Sequence, residues 1–183
     1  MSEVDRGRAA CRPGRFWRDA GGAAAVEFAL VVPILLLIFL GAVEIEQALV
    51  ADRKLGEVAS TVADLVAREK SLEAADVEAI LTGASAIMLP YDVSDLGILV
   101  IVSDTTSSGD TTAWSVAKNA TALTAGSPTT ISVPDAVREV GVQMVAVKAT
   151  FDLTTSFSEL FGQYGLSKVH FARPRMSDAI TYE

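Results

Sequence analysis

The residue whose type and position most invite a chemical question is Glu27. It stands one turn inside the apolar stretch GGAAAVEFALVVPILLLIFLGAV, which begins at Gly21. A carboxylate costs roughly 2.5–3.5 kcal/mol at the centre of a membrane helix, and less near its end. A cationic partner removes that penalty, so the chemistry open to Glu27 is charge pairing; snorkelling to the headgroups is the simpler alternative. Other candidates are weak. His170, the single histidine, alternates with Val169 and Phe171 in an apparent strand and has no second ligand at metal-binding spacing. Asp104 and Asp110 flank a polar loop without the regular oxygen ligands of a calcium site. Asn119 opens a formal glycosylation sequon, and Arg173 and Arg175 bracket a proline; solvated turn and strand-end roles suit both. No GxGxxG, GxxxxGK[ST] or GxSxG occurs, so no catalytic residue, cofactor or metal is expected.

The element that must position Glu27 is a membrane helix. From Phe28 to Val43 there is neither a charge nor a polar side chain. At 1.5 Å per residue, that run plus Ala23–Val26 approaches the roughly 30 Å hydrocarbon thickness of a bilayer. Arg6, Arg8, Arg12, Arg15 and Arg18 precede it, and Glu44, Glu46 and Asp52 follow, with the two glutamates read as marking the outer boundary. Arginine-rich flanks remain cytoplasmic, so the remainder is exported. The net charge of −8 over 183 residues argues against nucleic acid as a partner. The one cysteine, Cys11, precedes the helix, so no disulfide is available to the exported part.

A basic segment before an apolar run could be a cleaved signal peptide, an uncleaved anchor or a prepilin leader. The run is too long for a signal peptide and ends in GAVEIEQA rather than a neutral cleavage site. An uncleaved anchor leaves Glu27 unexplained. The phrase AAAVEFALVVP and the later GAVE resemble the TadE/TadG-like minor pilins, or pseudopilins, of tight adherence (Tad) pili. That resemblance implies cleavage by a prepilin peptidase after Gly22, with Ala23 as the new amino terminus, Glu27 fifth in the mature chain and the aromatic Phe28 beside it. It covers about Arg15 to Gln47 closely. Beyond that it rests on Trp114, the strand around Val145 and Arg173–Arg175. Physically, a freed amine at Ala23 can neutralise a carboxylate one turn on, in its own chain or in a neighbour's. Alanines at 23, 24, 25 and 29 would let helices approach closely. Pro33 removes one backbone donor and predicts a kink.

Further along, Leu55, Val58, Val62, Leu65 and Leu72 form a narrow seam that extends the helix, with Arg53–Glu57 and Asp64–Arg68 as i, i+4 pairs on its wet face. Gly56 weakens it. A break near Lys70 and an N-cap at Ser71 predict a second helix that stops before Pro90. LGILVIVSD and TTAWSVAKN read as a hairpin with a long tip, GVQMVAVKATFDL as the strongest strand, SFSELFGQYG as a loop with a short helix, and LSKVHFARPRM as the last strand. DAVREV adds one helical turn.

The expected fold is therefore α+β: one transmembrane helix continuing into a long helix, packed on a small, mainly antiparallel, pilin-like sheet. Residues 1–22 form a cytoplasmic leader, 23–47 the transmembrane helix, 48–90 a periplasmic helical region and 91–183 an α+β periplasmic domain. The resemblance implies a non-enzymatic subunit in the bacterial inner membrane, with incorporation into the pilus left open. Its partners would be the peptidase, other pilin-like subunits, the assembly platform and membrane lipid, in a hetero-oligomer. The competing readings are an uncleaved anchored periplasmic binding module and, lacking any nucleophile–base set, an anchored hydrolase.

Overall fold

A single helix, α1, runs from Ala20 to Arg68 in the computed structural model, which describes residues 20–107, 109–155 and 157–183. Most of the basic leader, including Cys11, lies outside the described residues. By contacts, the chain divides into two compact units that meet in sequence at Val43 and Glu44. The first unit, over its described residues, is helix alone. Phe28, Leu30, Ile34, Leu35, Leu36 and Phe39 are all more than half exposed. Its length and apolar composition are compatible with a single-pass membrane protein, and no other helix among the described residues meets that criterion. The helix continues through Pro33, which has no N–H to offer the Ala29 carbonyl.

The second unit, Glu44–Glu183, has its own core. Along α1, Ala51, Leu55, Val58, Ala59, Val62, Ala63, Val66 and Ala67 are buried to within 1%. The stripe is broader than the seam read from the sequence, and Leu65 is not in it, being 38% exposed. A seam through positions 58, 62, 65 and 72 follows a 3.5-residue repeat, whereas a straight helix turns every 3.6 residues. The buried line therefore drifts onto Val66 and Ala67. On the wet face, Asp64 pairs with Arg68 at 2.5 Å. No Arg53–Glu57 bridge is found among the described residues.

The helix breaks at Glu69, as expected, but Ser71 does not cap the next one. Ser71 and Leu72 form a two-residue strand, β1, and Glu73 is the N-cap of α2 (Ala74–Ser85). Its backbone N–H donates to the Asp76 carboxylate at 3.1 Å, satisfying a donor that a helix start leaves unpaired. A 3₁₀ turn, Ala86–Met88, and a cis Leu89–Pro90 bond end this region.

Four antiparallel strands follow: β2 (Gly97–Thr106), β3 (Gly109–Lys118), β4 (Gln143–Leu153) and β5 (Tyr164–Ala172), in the spatial order β3-β2-β4-β5. The β2–β3 hairpin is tighter than expected, because pairing runs out to Thr106 opposite Gly109, with a bulge between Val102 and Ser103. Residues 135–137 make a turn closed by i→i+3 bonds, Val137 N–H to the Pro134 carbonyl at 3.0 Å and Arg138 N–H to the Asp135 carbonyl at 3.4 Å, without an α-helix. A four-residue helix, α3 (Ser158–Phe161), joins β4 to β5. Successive strand side chains alternate between faces. Ile98, Val100, Val102, Val145, Val147, Ala149 and Phe151 thus belong to the same core as the α1 stripe and the buried side of α2.

β5 is not the last strand. A further pair, β6 (Thr181–Tyr182), runs parallel to β1, with the Glu183 N–H donating to the Leu72 carbonyl at 3.0 Å. The Trp114 indole donates to the Ile180 carbonyl at 2.8 Å and its ring stacks on Tyr182. That pairing is what draws Ser71 out of its capping position.

Two glycines should respond oppositely to alanine. At Gly97 a Cβ would collide with Thr150 Oγ1 and lie 3.2 Å from the Asn119 carbonyl. Gly97→Ala should therefore destabilise by about 1–3 kcal/mol. At Gly56 a Cβ meets only Lys168 Cγ, at 4.0 Å, so Gly56→Ala should stabilise by up to about 1 kcal/mol. Thermal melts of the detergent-solubilised chain check both signs.

Candidate functional site

Ala20 begins α1, so Gly22 and Ala23 lie in its first turn. A Cβ added at Gly22 would meet nothing within 4 Å, so packing within the chain does not require glycine there. Glu27 is exposed and makes no ion pair among the described residues. It lies four positions after Ala23, and residues so spaced sit about 5–6 Å apart between Cβ atoms on one helix face. An amine placed on Ala23 could therefore reach that carboxylate. Phe28 is among the most exposed apolar side chains of the chain. The helix brings Gly22, Ala23, Glu27 and Phe28 within two turns, while Pro33 stands further along the same rod.

The family model for TadE-like proteins matches residues 22–64. Residues 22–64 form a TadE-like segment. The likeness points to a protein related to Tad pili. No curated protein and no solved structure matches the chain. The TadE-like segment starts at Gly22 and runs past Gln47, further along the helix than the close resemblance read from the sequence. It takes in Ala51, Leu55, Val58 and Val62 of the buried stripe. It does not reach Trp114, Val145 or Arg173–Arg175.

Those outlying residues hold the second unit together. Val145 is core. Arg173 pairs with Glu139 at 2.7 Å, while Arg175 pairs with Asp64 and donates its backbone N–H to the Ala67 carbonyl at 2.8 Å. The strand end expected to be solvated is thus clamped to α1. Asp110 pairs with Arg138 at 3.0 Å and Asp104 accepts from Gln143 at 2.8 Å. Asn119, in a left-handed conformation with φ 49°, spends its side-chain amide on the Ser94 and Leu96 carbonyls. His170 is exposed beside a shallow groove shared with Asp64 and Arg68.

Sequence reasoning missed a second carboxylate within the TadE-like segment. Glu44, taken as a mark of the outer membrane boundary, is only 1% exposed. The Thr155 hydroxyl donates to its Oε1, and its Oε2 is buried without a partner. Nothing local to GAVEIEQA distinguishes Glu44 from the exposed Glu46; its partner lies more than a hundred residues away. A buried acceptor deprived of its donor costs about 1–3 kcal/mol, whereas replacing both partners by apolar groups is close to neutral. Thr155→Val alone should lower the melting temperature, and Glu44→Leu added to it should restore most of the loss, as read by calorimetry of the solubilised chain.

Proposed function

We propose that this chain is a prepilin-like minor subunit for Tad pilus assembly, cut after Gly22 by a prepilin peptidase. The observation that carries the proposal is the coincidence of two starting points: the TadE-like match begins at Gly22, and Glu27 lies one helical turn beyond the bond that follows it. Cleavage there leaves an α-amine on Ala23 at a helix start. The N-terminal helix dipole already favours negative charge in that turn, and the new ammonium adds a full positive charge.

Glu27 neutralises that ammonium, in its own chain or in a neighbouring subunit, and thereby biases helices to pack side by side. The exposed apolar surface of 23–43 supplies the contact, with the small residues at 23, 24, 25 and 29 allowing close approach. The membrane concerned is the bacterial inner membrane. The amino terminus is cytoplasmic, and Glu44–Glu183 is periplasmic, where it meets other pilin-like subunits and the assembly platform. The role is assembly, not catalysis, and calls for no cofactor.

Mass spectrometry of membrane-extracted protein from peptidase-containing cells should give a mature amino terminus at Ala23, and Gly22→Arg should retain the leader. An intact wild-type leader in those cells would leave an anchored periplasmic binding module instead. Glu27→Gln should be cut nearly as well as wild type but recover severalfold less of its pilus partners on co-purification. Equal recovery would reduce Glu27 to a snorkelling side chain.

A further inference from the structure

The loop between β4 and β5 has features that the core does not require. Its short helix α3 carries Leu160, 61% exposed, and Phe161, 38% exposed, with Phe157 half-buried at its start. Large apolar side chains gathered at a loop tip mark a contact surface. The loop's place in the chain says which contact. The Thr155 hydroxyl is bonded to Glu44, and Glu44 directly follows Val43, the last residue of the uncharged run. The start of the loop, Thr155, is therefore held at the residue where that run ends, and Leu160 and Phe161 follow it by five and six positions.

The polar layer on each side of a bilayer is roughly 5–7 Å deep, half the difference between about 40–45 Å overall and about 30 Å of hydrocarbon. At 1.5 Å per residue, Glu44 through Gln47 occupy that depth. A second loop is tied there too: the Tyr91 hydroxyl donates to the Gln47 carbonyl at 3.3 Å, and the nearby Leu89 is 61% exposed. Interfacial layers favour Tyr and Trp, whose rings have one polar end, and take up apolar faces that carry Phe and Leu. Among residues 157–163 the one charge is Glu159 and there is no lysine or arginine, so anionic lipid is not what the loop fits.

We propose that the β4–β5 loop rests in the outer interfacial layer of the membrane, with Leu160 and Phe161 in contact with zwitterionic lipid. This surface is distinct from the helix face that Glu27 serves. It rests on the reading of residues 23–43 as membrane-spanning. Thr155, at the start of the loop, keeps the buried carboxylate of Glu44 partnered where the apolar run ends.

The test uses the full chain with Cys11→Ser and one added cysteine, Leu160→Cys, Leu36→Cys or Met176→Cys, each labelled with an environment-sensitive fluorophore in phosphatidylcholine vesicles containing doxyl-labelled lipid. Met176 adjoins Arg175, which is clamped to Ala67, about 35 Å along α1 from Glu44 at 1.5 Å per residue. The expected result is strong quenching at position 36, at least half as much at 160 from the shallow doxyl position, and none at 176. Quenching at 36 with none at 160 overturns the loop proposal and leaves the spanning helix intact. An absence of quenching at 36 overturns the membrane reading and the loop proposal together.

Discussion

Between Phe28 and Phe39, eight large apolar side chains are left more than half exposed on α1. Full burial of such a side chain stabilises by about 1.5–3 kcal/mol, so the surface forgoes on the order of 10 kcal/mol if it meets water. That is comparable to the whole stability of a typical domain, about 5–15 kcal/mol. A helix cannot keep that face wet. It needs hydrocarbon or other helices around it. Past Val43 the demand changes: Glu44–Arg68 buries one stripe and wets the rest, with Asp64, Arg68 and Arg175 on its outer side.

The change of surroundings explains why Glu27 and Glu44, on one helix, differ in character. Glu27 is open on a face with no charge beside it among the described residues, so a partner has to come from outside them. Glu44 is enclosed by its own unit and satisfied in part by Thr155. The first is available for recognition. The second contributes to the placement of a loop.

The long periodic elements were legible in the sequence, because hydrophobic pattern and length specify them locally. The apolar run, the extension of α1 past it, α2 and the four sheet strands all appear where apolar periodicity placed them. What was not legible depends on partners distant in the chain. Ser71 carries a good capping side chain, yet pairing with Thr181 makes it a strand. Leu65 fits a heptad seam, but a straight helix rotates it out of the core. The hairpin tip reads as a polar loop, yet Gly109, with φ 138°, lets the ladder close over it. For the candidate site, the Gly22–Glu27 spacing was plain in the sequence, whereas the Glu44–Thr155 contact carries no signal in either segment.

The order of strands has a consequence for how the protein is made. The helical stripe Leu55–Val62 is finished early, while β4, which lies at the centre of the sheet and shares its core, comes some eighty residues later. At ~5–20 residues per second of synthesis, that stripe waits on the order of ten seconds without its cover. During that interval the nascent polypeptide carries the uncovered stripe of residues 51–67 directly after the apolar run that precedes it.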